Sequence, residues 1–274
     1  MKYVPLGRSG VFVSELCLGT AAFGKEAGES DSVAIMNRAI EAGINFFDID
    51  GGLSEEMVGR WIGPHREAII LAAQIHSAMD ERHIILSVEQ SLQRLHTDWI
   101  DILYLRHEDD GDGIEQALEA VSTLIGQGKV MYCGLAGFAA WQTMKAGNLA
   151  PIVCIRPVYN LVERQAEVEI LPQAHSEGLA VFPCNPVADG LTKNDRDAAI
   201  SERFLEYARK KGLSPAALAV AWVAAHPAVT APILGAANLE ELDELLQCLD
   251  IVLNEEQRAE ITALSIDPPL ATDR

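Results

Sequence analysis

Ile44-Asn45-Phe46-Phe47-Asp48-Ile49-Asp50-Gly51-Gly52 is an apolar run that ends in two carboxylates and two glycines. A strand buried on both faces reads as a near-continuous apolar run, so this segment is expected to be a central parallel strand that delivers acidic side chains to a loop. Similar strand candidates stand on either side of it, at Leu16–Thr20, Ala68–Gln74, Ile100–Arg106, Val130–Ala136, Ile152–Arg156, Ala180–Cys184 and Val229–Gly235. Stretches with helical spacing lie between them: Asp31–Ala42 behind Ser30 as N-cap, Glu81–Leu95 behind Asp80, Ile114–Gly126, Glu163–His175, Ala198–Lys211 and Pro215–Ala225. Asn238–Leu246 and Asn254–Leu264 supply two final helices. Eight buried strands alternating with helices predict a (β/α)₈ barrel. At the N-terminus, Tyr3–Gly7 and Val11–Ser14 flank Arg8-Ser9-Gly10 and predict a hairpin that closes the barrel floor.

The chain has 274 residues with no Gly/Ser- or Pro-rich linker, so a single barrel domain over residues 1–274 is expected. Forty Asp and Glu against 21 Lys and Arg give a formal charge of −19. Nucleic acid and anionic membranes need basic footprints, so neither is an expected partner. No apolar run is long enough for a membrane span, and the first ten residues lack a signal-peptide core. Five cysteines at wide spacing, with no Cys-x-x-Cys, argue against a disulfide framework or a cysteine zinc site. A cytoplasmic location follows as the expectation. The sequence says nothing about oligomeric state.

The ordered motifs Leu-Gly-Arg-Ser-Gly (6–10), Val-Ser-Glu-Leu-Cys-Leu-Gly-Thr (13–20), Ala-Gly-Ile-Asn-Phe-Phe-Asp (42–48) and Ser-Glu-Glu-Met-Val-Gly-Arg-Trp (54–61) resemble the frame of the aldo/keto reductases. The resemblance continues through Ser-Leu-Gln-Arg-Leu-His-Thr-Asp-Trp-Ile-Asp (91–101), Gly-Lys-Val-Met-Tyr-Cys-Gly-Leu (128–135), Tyr-Asn-Leu-Val-Glu-Arg-Gln-Ala-Glu (159–167) and His-Pro-Ala-Val-Thr-Ala-Pro-Ile-Leu-Gly-Ala (226–236). It covers nearly the whole chain and implies the same barrel. It implies less about chemistry, because a fold does not fix a function.

That family reduces carbonyls with a tyrosine as proton donor. A lysine held by an aspartate lowers the phenol from its usual pKa of about 10, and a histidine orients the carbonyl. The resemblance places the aspartate at Asp48, the tyrosine at Leu53, the lysine at Gln74 and the histidine at Arg106. His107 takes the histidine's place only after a one-residue register shift, which strand alternation opposes. The nicotinamide contacts fare similarly. The Ser-Asn pair falls at Ala136-Gly137, the glutamine at Arg156 and the stacking tyrosine at Cys184. After the eighth strand, Gly235-Ala236-Ala237-Asn238 leads into a helix with Glu240, Glu241, Asp243 and Glu244, which oppose a phosphate. Gly190 and Leu191 survive from the diphosphate loop, beside Asp189. NADP, the family cofactor, is therefore expected to be lost, and no other cofactor takes its place.

Side-chain alternation puts Asp48, Gln74, Arg106 and Arg156 in one inward layer at the mouth. One reading is structural: an aspartate deprived of its lysine is paired with an arginine instead. The other is functional: Arg106 and Arg156 grip a small anionic molecule, with Asp48 or Asp50 as base, Cys184 as a neighbouring thiol, and Asn160 and Asn185 as further substrate contacts. On this second reading Arg156 serves binding, and a charge at an open mouth contributes little to stability. One step higher, His76, Asp50 and Glu108, with His107 nearby, are weak metal-ligand candidates. Three function classes remain open. The leading one is a diverged, nicotinamide-independent enzyme of proton-transfer or lyase type. The others are an NAD(P)H-dependent oxidoreductase with an atypical site, and a non-catalytic binding barrel.

Overall fold

The computed structural model describes residues 1–75, 80–106, 113–188 and 195–269. Two short strands, β1 (Tyr3–Pro5) and β2 (Phe12–Ser14), pair antiparallel as the N-terminal hairpin. Then follow β3 (Cys17–Gly19), β4 (Phe46–Ile49), β5 (Ile70–Gln74) and β6 (Ile100–Arg106). The series ends with β7 (Val130–Ala136), β8 (Ile152–Arg156), β9 (Ala180–Val181) and β10 (Ile233–Gly235). The eight strands from β3 onward form one parallel sheet in the order β10-β3-β4-β5-β6-β7-β8-β9. Its two ends meet through backbone hydrogen bonds. Thr230 N donates to Val181 O at 2.9 Å, and Ile233 N to Pro183 O at 2.9 Å. Val181 N also donates to the Thr230 hydroxyl at 2.9 Å. The predicted barrel is the observed architecture.

Helices pack around it: α1 (Glu29–Glu41), α2 (Leu53–Ile62), α3 (Glu81–Leu95), α4 (Ile114–Gly126) and α5 (Ala140–Gly147). They continue as α6 (Ile170–Glu177), α7 (Asp195–Lys211), α8 (Pro215–Ala224), α9 (Leu239–Leu246) and α10 (Glu255–Thr262). Asp80, Ser214, Asn238 and Asn254 cap α3, α8, α9 and α10 by accepting from a backbone N–H three residues on. Ser30 does not cap α1, because the helix already begins at Glu29. The expected helix Glu163–His175 starts later. Asn160 folds its carbonyl onto Val162 N and Glu163 N, a turn that delays α6 to Ile170. α2 and α5 were not among the helical stretches read from the sequence.

Alternate strand residues go to two separate cores. Phe47, Leu103 and Leu105 pack outward against the helices. Phe46, Ala72, Ile102, Tyr104, Cys154 and Phe182 fill the bore, joined from below by Leu6 and Val13 of the hairpin. The hairpin sits so close to the strand bottoms that a Cβ on Gly7, at φ 51°, would lie 2.5 Å from the Val153 carbonyl oxygen. Gly134 likewise leaves room for the Tyr104 ring, whose carbons would stand 2.8 Å from a Cβ there.

The C-terminal segment is tied to the loop after β8. Arg164 donates to Glu167 at 2.7 Å and to Asp267 at 3.2 Å, while the Tyr159 hydroxyl donates to Glu167 at 2.6 Å. Arg258 of α10 donates to Tyr159 Oη at 2.9 Å and lies over the Trp222 ring, whose indole N–H donates to Thr262 at 3.0 Å. His226 meets the Tyr159 ring edge-on at 5.7 Å. Burial, and then the charge of Arg258, lower its pKa to about 4. A histidine lowered on folding gives stability that is complete above the unfolded pKa of about 6.5 and is lost as pH falls through the folded value. Because the ring is only half-buried, we expect a loss of about 1–2 kcal/mol between pH 6.5 and 4. Urea midpoints over that range should show the slope, and His226→Asn, which keeps an acceptor for Ala228 N, should flatten it.

Candidate active site at the barrel mouth

In the eight-strand order β4 and β8 stand opposite one another, and their inward side chains meet across the bore. Arg156 donates from Nη2 at 2.9 Å and from Nε at 3.2 Å to the same oxygen, Oδ2, of Asp48. Its Nη1 donates to Gln74 Oε1 at 3.1 Å. The result is a crossbar over the bore, built from three of the four residues expected in the inward layer. Asp48 is 4% exposed, and its Oδ1 has no partner among the described residues. Burial raises the Asp48 carboxyl above the ordinary carboxylate range, and the Arg156 guanidinium only partly offsets this. Arg156 keeps its charge: burial is the largest influence and works against it, but the Asp48 carboxylate and the other groups around it together outweigh burial. The expectation that Arg156 contributes little to stability is therefore corrected, because it is the sole ion-pair partner of a buried carboxylate among the described residues.

Arg106 does not join the crossbar. Its backbone pairs with Ala136, which pairs in turn with Arg156, so the three share the inward phase. Its side chain is exposed, however, and among the described residues it has no ion pair and does not line the cleft. An anion clamp with Arg106 and Arg156 as its two arms is not assembled here. Asp50 turns to the surface and pairs with Lys25 at 2.9 Å. Cys184 is half-buried beside Arg156, and burial pushes its thiol up, so it stays protonated. Leu53 is the first residue of α2, 55% exposed, and packs over Gly24.

Asn160 has no exposed surface to offer a substrate. Its amide donates to Asn185 O at 3.1 Å and holds Asn185 in a left-handed conformation with φ 55°. Asn160 thus positions the loop, and Asn185 reaches the cleft. His76, His107 and Glu108 lie outside the described residues, as do Asp189, Gly190 and Leu191. Among the described residues no group of three or more His, Cys, Asp or Glu is placed to hold a metal.

A cleft of about 600 Å³ opens beside the crossbar. Asp48, Arg156, Cys184 and Asn185 line it, together with Gly235, Ala216, Glu241 and Glu244. At the entrance to α9, Glu241 already occupies one backbone amide and the side-chain amide of the cap. Ala237 N donates to Glu241 Oε2 at 2.8 Å, and Asn238 Nδ2 donates to Glu241 Oε1 at 2.8 Å. A helix N-terminus is a natural phosphate site, and here one of the chain's own carboxylates stands beside it. The pattern Asn-x-x-Glu at 238–241 resembles a capping box, but Glu241 accepts from Ala237 N and not from the Asn238 backbone N–H, so only the Asn238 half of it forms. Tyr104, beneath the crossbar with its hydroxyl unpartnered, was missed as a bore residue, although the alternation Ile102, Tyr104, Arg106 points to it.

The sequence model of the aldo/keto reductase family matches residues 15–266, which span the eight parallel strands and the helices around them. The chain belongs to the aldo/keto reductase family. It is 33% identical to an uncharacterized oxidoreductase, YrpG, of Bacillus subtilis, over 93% of each chain. It is 29% identical to a norsolorinic acid reductase of Aspergillus flavus, over 92% of this chain and 78% of that one. It is also 28% identical to a probable voltage-gated potassium channel subunit beta of Oryza sativa, over 92% of each. Among the described residues no helix is long and apolar enough to cross a membrane.

Proposed function

We propose that this chain is a diverged aldo/keto reductase-family enzyme that no longer reduces carbonyls with NADPH. It works instead without nicotinamide, by proton-transfer or lyase-type chemistry on a small anionic molecule at the barrel mouth. The observation that carries this reading is the crossbar. Carbonyl reduction needs a hydride donor and an acid, and the residues aligned with the family's lysine and aspartate, Gln74 and Asp48, are both engaged by Arg156. Leu53, at the tyrosine position, offers no proton. Glu241 on the Ala237 amide before α9 and the added negative charge of Glu244 weigh against a dinucleotide phosphate.

The same geometry suits another reaction. A guanidinium has five N–H donors, and three are used in the crossbar. Two remain on a side chain that is 21% exposed toward the cleft, enough to hold an oxygen on which charge develops. A carboxylate raised toward neutrality is the better base, and Asp48 takes the carbon-bound proton. The electron pair left on carbon moves to the oxygen held by Arg156.

Calorimetric titration with NADPH and NADH tests the reading. No saturable binding is expected, and a micromolar or tighter dissociation constant would overturn it. That outcome would favour the second reading, an NAD(P)H-dependent oxidoreductase with an atypical site, which the oxidoreductase relative at 33% identity supports.

A further inference from the structure

We infer that the mouth cleft takes a monocarboxylate with an apolar body, its carboxylate on Arg156 and its carbon chain along the wall that Pro186, Val187, Ala216 and Leu245 give the cleft. The inference rests on the proposed site and names its substrate class.

Arg156 sets the head group. Its Nε has spent its only N–H on Asp48, while Nη1 and Nη2 have each spent one of two. One N–H is left on each terminal nitrogen, a pair that suits the two oxygens of one planar carboxylate. The charge behind those donors is already matched. Asp48 offsets the guanidinium, and the other charged residues lining the cleft, Glu241 and Glu244, are carboxylates. Coulomb attraction therefore does not carry the affinity, and a second negative charge on the ligand is repelled. What is left to hold a ligand is apolar area.

That area lies beside the arginine. The segment after β9 is bonded to the segment after β8, with Cys184 N donating to Pro157 O at 2.9 Å and Tyr159 N to Cys184 O at 3.4 Å. Chain continuity then brings Pro186 and Val187 into the lining next to Arg156. Cys184 itself adds a thiol that burial keeps protonated. Ile233 of β10, Ala216 of α8 and Leu245 of α9 continue the apolar lining. The wall is also held under backbone strain, since Asn185 at φ 55° and Ala188 at φ 53° flank Pro186 and Val187. Neither is glycine, and such backbone persists only where its surroundings enforce it, most often at ligand sites. The anchor here is Asn185 O, which accepts from Asn160 Nδ2 and from Ala188 N, each at 3.1 Å.

The experiment titrates butanoate, hexanoate and octanoate into the full chain by calorimetry. Hexanedioate and hexanamide, with the same number of carbons as hexanoate, are the controls. Each added methylene should tighten binding about twofold to fourfold, the lower factor for one left half in water. Hexanedioate should bind at least about fivefold more weakly than hexanoate, the scale of one repulsive charge near a protein surface. Hexanamide, which has no charge for Arg156, should also bind more weakly. Ala216→Asp puts a carboxylate into the wall at a first-turn helix position that favours one, so the chain should fold and lose the gain with chain length. Val187→Ser should reduce that gain as well, and Leu239→Ser, on α9 but outside the lining, should leave it intact. Cys184 is the one cysteine of the five that is not buried, so saturating hexanoate should slow its alkylation by iodoacetamide. No gain from butanoate to octanoate, hexanedioate or hexanamide binding as tightly as hexanoate, a gain untouched by Ala216→Asp, or an alkylation rate unmoved by hexanoate would overturn the inference. Failure of the underlying reading is seen separately. A chain that binds NADPH at micromolar concentration and still shows the chain-length gain discards the nicotinamide-independent reading and keeps the monocarboxylate site.

Discussion

Arg156→Leu is expected to destabilise the protein by about 3 kcal/mol at pH 7, even though it adds an apolar side chain. Removing one partner of a buried ion pair leaves the other as an uncompensated charge, which costs about 3–5 kcal/mol. The low end applies because the mouth is open beside the guanidinium. The sign with pH follows from Asp48. Its carboxyl is raised on folding, so its contribution is most favourable below the unfolded value of about 3.8 and is lost as pH rises through the folded value. Loss of the arginine raises the carboxyl further, so the deficit against wild type should widen from pH 4 to pH 7. The charge-free pair Asp48→Leu/Arg156→Leu should recover part of the loss, because a buried pair is often replaceable by apolar groups. Urea unfolding at the two pH values checks both statements. A deficit below about 1 kcal/mol at pH 7, the worth of an exposed pair, would mean that the crossbar does not hold.

Trp222→Ala should cost as much or more, about 3–5 kcal/mol, the usual range for deleting a buried aromatic side chain. The ring is almost fully buried, lies 5.3 Å from Tyr159, carries Arg258 on one face and donates to Thr262. The damage should be uneven. α10 has a single buried residue of its own, Ile261, so its attachment rests on polar contacts, those of Arg258 and Thr262 with Trp222 and that of Glu260 with the Tyr207 hydroxyl. Hydrogen exchange should speed up over residues 255–265 before the barrel strands are affected. Equal acceleration in both regions would count against a separately tethered segment.

The fold was legible because its signal is redundant. Buried parallel strands such as Ile100–Arg106 and Val130–Ala136 carry their own apolar pattern, and both ends were read to the residue. The short strands were read too long. Val229–Gly235 shrinks to Ile233–Gly235, because Thr230 and Ala231 spend their amides on the seam with Val181. α5 escaped notice because Trp141 and Met144 are exposed and its apolar stripe is thin. In the site, alternation put Asp48, Gln74 and Arg156 in one layer correctly. It could not say which arginine would reach Asp48, because that depends on β8, and not β6, standing across the bore from β4. Nor does a motif reveal that Asn160 spends its side chain on loop backbone.

The seam also has a kinetic meaning. β10 pairs with β3, joining Ile233 to Cys17, while its other side meets the two-residue β9. Those partners lie near opposite ends of the chain, so ring closure must wait until nearly all of the intervening chain is ordered, and contacts of such long separation form slowly. The earlier strands β4 to β8 can assemble progressively, each on its predecessor, and expose an unpaired edge at β3 until the last turn arrives. Asp48 on β4 and Arg156 on β8 belong to strands that need no contact with β10, so their union across the bore does not depend on the closing of the seam. The pair that bars the bore of the finished barrel thus fixes the spacing of β4 and β8, between which β9, β10 and β3 complete the ring.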